Sequence, residues 1–185
     1  ETIENGQTPD FITFSGSGEP TLFRGFGNMV DAINKKYPHI KVALLTNSTL
    51  LTDKNVFEAA LKCDLVVPSV DSVTESGFKQ INRPHVDLNL DTMLEALVRF
   101  RAEFKGQMWA EVFVISGIND TEVELSSLAK FLKKLGADKV QINTLDRPGL
   151  ENWVKPIKKE ELSSVLDAFS ELPVEVVARN LGTIE

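Results

Sequence analysis

Short apolar runs alternate with helical patterns along the chain. Six segments have the length and apolar content of strands: 11–15, 41–47, 64–71, 107–116, 139–144 and 174–178. Helical periodicity predicts helices at 22–37, 53–63, 90–104, 121–135 and 162–169, with a short helix before residue 87. Strands that are apolar on both faces and alternate with helices are typical of a parallel sheet covered by helices. We therefore predict one α/β domain, either an open sheet or a partly closed barrel.

Polar side chains interrupt this pattern on one face of the predicted strands. With a period of two, the polar residues that share a face within their strands are Thr13 with Ser15, Ser69 with Asp71, and Gln141 with Asn143. Glu111 lies on one face of the longest predicted strand. A carboxylate inside a barrel is costly unless it has a partner, so Glu111 and Asp71 are candidate site residues. Alternatively, Glu111 lies at a solvated edge of the sheet, and Asp71 only caps the helix that follows it.

Composition narrows the function classes. The 185 residues carry a net charge of −7, which opposes a broad grip on nucleic acid phosphates. No apolar run is long enough for a membrane span, so no membrane partner is expected. The single cysteine, Cys63, excludes an internal disulfide and any multi-cysteine metal cage built from this chain alone. We interpret Cys63 as a small buried hydrophobic residue and place the protein in a reducing compartment, the cytoplasm.

The first predicted strand runs into a glycine-containing turn, Ser15–Pro20. Thr21 stands where a dinucleotide fingerprint needs its third glycine, so that motif is not met. The turn is either a purely structural βα connection or a place where the backbone approaches a ligand closely. Residues 11–22, Phe-Ile-Thr-Phe-Ser-Gly-Ser-Gly-Glu-Pro-Thr-Leu, resemble the second strand and following turn of radical S-adenosylmethionine (radical SAM) enzymes, with Ser17 in place of the first glycine of their Gly-Gly-Glu-Pro motif.

Three further motifs match the same family in order. Leu45–Ser48 resembles its Thr-Asn-Gly strand end, Pro68–Asp71 with Ile81–His85 its fourth strand and loop, and Ser116–Asp120 its Gly-x-Asn-Asp turn. The resemblance covers about residues 10–144. The closest subgroup is the iron–sulfur oxidoreductases that resemble wyosine-base synthases and molybdenum-cofactor biosynthesis enzymes. In such enzymes a [4Fe-4S] cluster cleaves S-adenosylmethionine (SAM) reductively, and the resulting 5′-deoxyadenosyl radical takes a hydrogen from the substrate.

The resemblance implies a partial (β/α)6 TIM-like barrel with outer helices. It also implies a SAM site built from Ser17, Gly18, Glu19, Pro20, Asn47, Ser69, Asp71, Arg83, Glu111 and Asn143. By this resemblance Gly18 and Glu19 line the methionyl amine, while Ser69 and Asp71 lie near the ribose or the methionyl carboxylate.

The remaining implied contacts come from later segments. Arg83 would pair with the methionyl carboxylate or lie exposed at the surface, Glu111 would lie near the ribose or the sulfonium, and Asn143 near the adenine. Asn119 and Asp120 are better explained as cap and turn residues.

The cluster-binding cysteine loop of the family has no counterpart in this sequence. The whole chain, 1–185, is therefore predicted to be one radical SAM core domain truncated at its N-terminus, without its first βα unit and with the cluster ligands outside it. Alone it would be inactive. Its open strand edge, at 11–15 or the neighbouring strand, predicts edge pairing, a dimer of the fragment or partial disorder near Glu19. The substrate cannot be identified. The alternatives are a non-catalytic barrel that binds a nucleoside-like ligand or acts as a scaffold, and, less favoured, an aldolase-like (βα) enzyme.

Overall fold

The computed structural model describes residues 8–144, 154–155 and 157–177. In this part of the chain six strands alternate with helices. The strands are β1 (Phe11–Phe14), β2 (Lys41–Thr46), β3 (Leu65–Pro68), β4 (Gln107–Val114), β5 (Lys139–Thr144) and β6 (Val174–Val177). The helices are α1 (Phe26–Lys36), α2 (Lys54–Ala60), α3 (Glu75–Ile81), α4 (Leu90–Glu103), α5 (Glu122–Leu135) and α6 (Lys159–Ala168).

All neighbouring strands are parallel, and the sheet order follows the chain, β1-β2-β3-β4-β5-β6. Sequential parallel strands joined by right-handed crossovers place their helices on one side of the sheet. This is the arrangement of a partial TIM-like barrel, so the predicted fold class is confirmed. The carboxyl ends of all six strands meet at one rim, where such folds bind ligands.

The two faces of the sheet differ in polarity. The helix-facing side is an apolar core in which Val42, Leu44 and Val112 have no exposed surface. On the other face a smaller apolar cluster of Ala43, Leu65 and Val67 occupies the middle of β2 and β3. Polar residues take over on this inner face toward the carboxyl ends of the strands.

Two aspartates fix the strand register at the opposite, amino-terminal rim. The Asp64 N–H donates to Val42 O at 2.8 Å, and its Oδ2 accepts the Val42 N–H at 2.7 Å. Asp138 repeats this exchange with Met108, at 2.8 Å in both directions. Each aspartate precedes a strand and locks it to the second residue of the neighbouring strand.

Several predicted element ends shift. The helix expected from residue 22 begins at Phe26, because Pro20–Leu22 forms a separate 3-10 turn. Thr121 and Glu124 have the sequence spacing of a capping box, but the box is only half formed. Thr121 Oγ1 accepts the Glu124 N–H, but no bond from the Glu124 carboxylate back to Thr121 is found among the described residues.

The Glu124 carboxylate accepts the hydroxyls of Ser72 and Thr74 instead, so it ties α5 to the start of α3. Gly136 ends α5 in the left-handed conformation. The loop around 147–149 and residue 178 of the last predicted strand lie outside the described residues. Within the described ranges, none of the helices combines the length and apolar character needed to span a bilayer.

Candidate functional site

A cleft of about 310 Å³ opens at the carboxyl ends of the first four strands. It is lined by the turn Ser15–Pro20, by Leu45–Asn47, and by Val67, Ser69 and Glu111. Seven of the ten predicted site residues therefore lie together in one cleft: Ser17, Gly18, Glu19, Pro20, Asn47, Ser69 and Glu111. Its volume falls within the range of small-molecule sites.

Glu19 fastens the glycine-containing turn to the end of β2. Its Oε1 accepts from the N–H and hydroxyl of Thr21 at 3.2 and 2.6 Å, and from the Thr46 hydroxyl at 2.8 Å. Its Oε2 accepts the Asn47 N–H at 2.7 Å. The carboxylate is thus engaged by four donors, and its contribution to the cleft is to hold the turn in place.

Gly18 has no packing reason to be glycine. A Cβ built on Gly18 would meet no atom outside its own neighbours within 4 Å. Since the position lines the cleft, the space beside its backbone is space that a bound molecule can fill.

Glu111 is the carboxylate that faces the cleft from β4. It is half-buried, pairs in register with Gln141, and forms an isolated bridge with Ser69 on the other side. Burial raises the pKa of Glu111, and the charge of Asp71 raises it further, while a side-chain hydrogen bond with Asn143 lowers it. The alternative of a solvated sheet edge is wrong, because β4 lies inside the sheet with β3 and β5 on either side.

Asp71 lies behind the cleft. It is 9% exposed, and its Oδ1 and Oδ2 accept the Phe113 N–H and the Asn82 side-chain N–H, both at 2.9 Å. Burial raises the pKa of Asp71, and these two donors act in the opposite direction. Asp71 does not cap the following helix, because Thr74 fills that position.

The other predicted residues occupy distinct places. Asn143 lies on β5 and reaches the cleft through its hydrogen bond with Glu111. Arg83 is exposed in the loop after α3, with a left-handed backbone (φ 45°), and does not line the cleft. The Asn47 side chain shapes its own turn, accepting from the N–H and hydroxyl of Thr49.

Two structural contributors were missed or underrated at the level of sequence. Thr46 is buried and links Glu19 to the Ser48 N–H through its hydroxyl, a role that its place between the apolar Leu45 and the polar Asn47 could have indicated. Asn119, interpreted as a cap or turn residue, is 1% exposed and bonds to both strand ends beside it. The bond from Asn119 to Asp71 O joins residues 48 positions apart, so it leaves no local sequence signal.

Comparison with known protein families identifies the chain. The model of the radical SAM superfamily matches residues 7–132, more than half of the 185 residues. This chain belongs to the radical SAM superfamily.

Curated relatives match most of this radical SAM chain. A UPF0026 protein of Methanocaldococcus jannaschii is 36% identical over 181 residues, which cover 98% of this chain and 56% of that protein. The chain thus spans little more than half the length of this curated relative.

Solved structures share the fold at low identity. One is a domain of pyruvate-formate lyase-activating enzyme from Bacteroides vulgatus, with a TM-score of 0.70 and 18% sequence identity. The alignment covers 90% of this chain and 98% of that domain. Another is SuiB of Streptococcus suis, solved bound to S-adenosylmethionine, with a TM-score of 0.65 and 15% sequence identity. The alignment covers 93% of this chain and 39% of SuiB.

The described residues of this radical SAM chain do not fit an iron–sulfur cluster. Cys63 is buried at the amino-terminal rim, opposite the cleft, and burial together with the nearby Asp64 raises its pKa to about 12. A thiol of this kind stays protonated, whereas cluster ligation requires thiolates. Within the described ranges no group of three or more His, Cys, Asp or Glu side chains could hold a metal ion.

Proposed function

We propose that the cleft binds SAM and that the chain forms most of the core of a radical SAM enzyme. The observation that carries this proposal is the convergence of the Ser15–Pro20 turn, Ser69 and Glu111 in one cleft at the carboxyl ends of parallel strands. SAM offers a cationic sulfonium and amine, a carboxylate, a ribose and an adenine. The cleft offers a carboxylate, a hydroxyl and main-chain polar groups for these parts.

Each lining group has a proposed part in holding the cofactor. The Gly18 backbone and the turn fixed by Glu19 lie against the methionyl amine. Ser69 donates or accepts at the ribose or methionyl carboxylate, and Glu111 supplies negative charge toward the cationic centre. Asn143 orients Glu111 and extends the site toward the adenine.

Arg83 is retained as a proposed contact for the methionyl carboxylate. The residue before it, Asn82, reaches Asp71 at the carboxyl end of β3, so this loop belongs to the same rim as the cleft. Bound beside a [4Fe-4S] cluster, SAM supplies radical chemistry, as in an oxidoreductase. We propose that the cluster ligands lie outside these 185 residues and that the chain alone is inactive.

The proposal predicts that filling the space beside Gly18 blocks the cofactor. Gly18→Val adds a side chain whose Cβ meets no packed atom, so the protein is expected to fold, but affinity for SAM falls about tenfold or more, equivalent to at least about 1.4 kcal/mol. Isothermal titration calorimetry with SAM, on this chain and on the full-length protein with its cluster reconstituted, measures the change.

Ser163→Val is the matched control, because Ser163 is exposed on α6, away from the cleft. Unchanged affinity in Gly18→Val, or no SAM binding by the reconstituted full-length protein, would contradict the proposal. SAM binding by a full-length protein that accepts no cluster would instead favour a non-catalytic, nucleoside-binding barrel.

Two further proposals concern the protein's surroundings. A reducing compartment, the cytoplasm, suits a chain with one cysteine. Pairing of this chain through β1 is proposed because, among the described residues, β1 has a strand neighbour on one side only. Sedimentation velocity at increasing concentration tests that pairing.

A further inference from the structure

The carboxyl-terminal half of β4 has few strand partners on the side of β3. Regular pairing of β3 with β4 covers two residue pairs, and one isolated bridge follows between Ser69 and Glu111. There the Val70 N–H donates to Glu111 O at 2.8 Å. β4 continues to Val114, so the main-chain groups beyond Glu111 need partners of another kind.

Two side chains supply those partners. Asp71 Oδ1 accepts the Phe113 N–H at 2.9 Å. Asn119 Nδ2 donates to Phe113 O and to Asp71 O, both at 2.8 Å, and Asn119 Oδ1 accepts the Ile115 N–H at 2.7 Å. These side-chain bonds take the place of main-chain hydrogen bonds between β3 and β4 and join the carboxyl ends of the two strands.

The polar atoms of Asp71 are engaged inside the protein. Oδ1 and the main-chain oxygen belong to this join, and Oδ2 accepts from Asn82 at 2.9 Å. The residue is 9% exposed and is absent from the lining of the cleft. An ionised carboxylate that receives N–H donors in a buried setting makes strong, charge-assisted bonds.

We propose that Asp71 is a positioning residue that makes no contact with the cofactor and holds the segment of β4 that presents Glu111 to the cleft. This inference rests on the proposed SAM site. The charge of Asp71 also acts on Glu111 through space. Among the described residues, the other charged side chains on this inner face include Glu19, engaged by four donors, Lys41 at the start of β2, and the ion pair of Lys139 with Glu175 at 2.7 Å.

The first test needs no ligand. Asp71→Asn keeps the shape but weakens the acceptor for the Phe113 N–H, so amide hydrogen exchange at Phe113 is expected to accelerate about five- to tenfold. Carboxyl-carbon NMR is expected to show Glu111 titrating at lower pH in this variant, because a neighbouring negative charge is gone. Asp120→Asn is the control. Asp120 accepts the Gly117 N–H at 2.8 Å in an exposed turn and should change neither signal.

Asn82→Ala provides a second, milder variant. It leaves Asp71 in place and removes one donor from its carboxylate, and it is also expected to accelerate exchange at Phe113. Unchanged exchange at Phe113 and unchanged titration of Glu111 in Asp71→Asn would overturn the proposal.

The second test separates positioning from direct contact. In the full-length protein, Asp71→Asn is expected to weaken SAM binding by up to about tenfold. The double variant Asp71→Asn/Glu111→Gln should bind SAM no more weakly than Glu111→Gln alone, because Asp71 acts through Glu111. If the double variant loses affinity by the product of the two single losses, Asp71 contacts the ligand independently of Glu111, and the proposal is overturned. If the wild-type protein binds no SAM, the proposed function fails, while exchange at Phe113 and titration of Glu111 still decide the role of Asp71.

Discussion

Ser48 has a backbone conformation that suits glycine better than serine. It stands where the family motif has glycine, and its φ is 66°, in the left-handed region. The residue is 1% exposed, and its buried hydroxyl has no hydrogen-bond partner among the described residues. A non-glycine residue in this region costs roughly 1–2 kcal/mol, and a buried unpaired polar group costs about 1–3 kcal/mol.

Ser48→Gly is therefore expected to stabilise the protein. Relief of backbone strain and of the unpaired hydroxyl outweighs the greater freedom of glycine in the unfolded chain, for a net gain of about 1 kcal/mol. Urea denaturation measures the change in the free energy of unfolding. Ser48→Ala, which removes the hydroxyl but keeps the strain, should gain less. A Ser48→Gly protein no more stable than Ser48→Ala would show that the turn carries no strain.

At the scale of elements, Asp64 and Asp138 at the amino-terminal rim each set the register of one strand pair. Removing Asp64 or Asp138 leaves a buried N–H of Val42 or Met108 without its charged acceptor. Each alanine substitution is expected to cost about 1.5–3 kcal/mol, and the two costs should add because the pairs share no partner. Urea denaturation of the single and double variants measures this.

A surface aspartate provides the control for this prediction. Asp31 pairs with Lys62 at 2.7 Å where both side chains are about half exposed, so Asp31→Ala should cost no more than about 1 kcal/mol. Equal costs for Asp31→Ala and Asp64→Ala would contradict a register role for Asp64.

The same scale shows what the sequence could predict. Apolar periodicity located the six described strands, because each leaves a short apolar run where one face packs on the core. The start of the first helix moved because Pro20–Leu22, capped by Glu19, forms a separate turn. The Glu124 carboxylate bonds to Ser72 and Thr74 instead of completing the cap of its own helix.

In the candidate site, too, features set by local strand pattern were predictable, and features set by contacts distant in sequence were not. Ser69 and Glu111 were predictable because strand alternation fixes which face each occupies. The inward, structural use of Asp71 was not predictable, because it depends on Phe113 and Asn82, which are distant in sequence and close only in the folded protein.

At the scale of the whole molecule, two carboxyl groups with raised pKa values make stability depend on pH. Burial raises the pKa of Glu111 and that of Asp71 in the folded protein. Between the ordinary carboxyl pKa of about 4 and the raised value, the folded state binds more protons than the unfolded state. The free energy of unfolding contributed by these groups therefore falls as pH rises through that window, and the full cost is present above the raised pKa.

Glu111→Gln is expected to raise the midpoint temperature of unfolding at pH 7 to 8, because it removes the cost of ionising a half-buried carboxyl beside Asp71. Its advantage over the wild type should shrink as the pH falls through about 4, because Glu111 becomes protonated in both states below its ordinary pKa. Thermal denaturation followed by circular dichroism at several pH values measures both changes. Glu95→Gln, on the exposed side of α4, controls for loss of one negative charge from a chain of net charge −7. Equal shifts in the two variants would mean that general charge repulsion, and not the setting of Glu111 in the cleft, produces the effect.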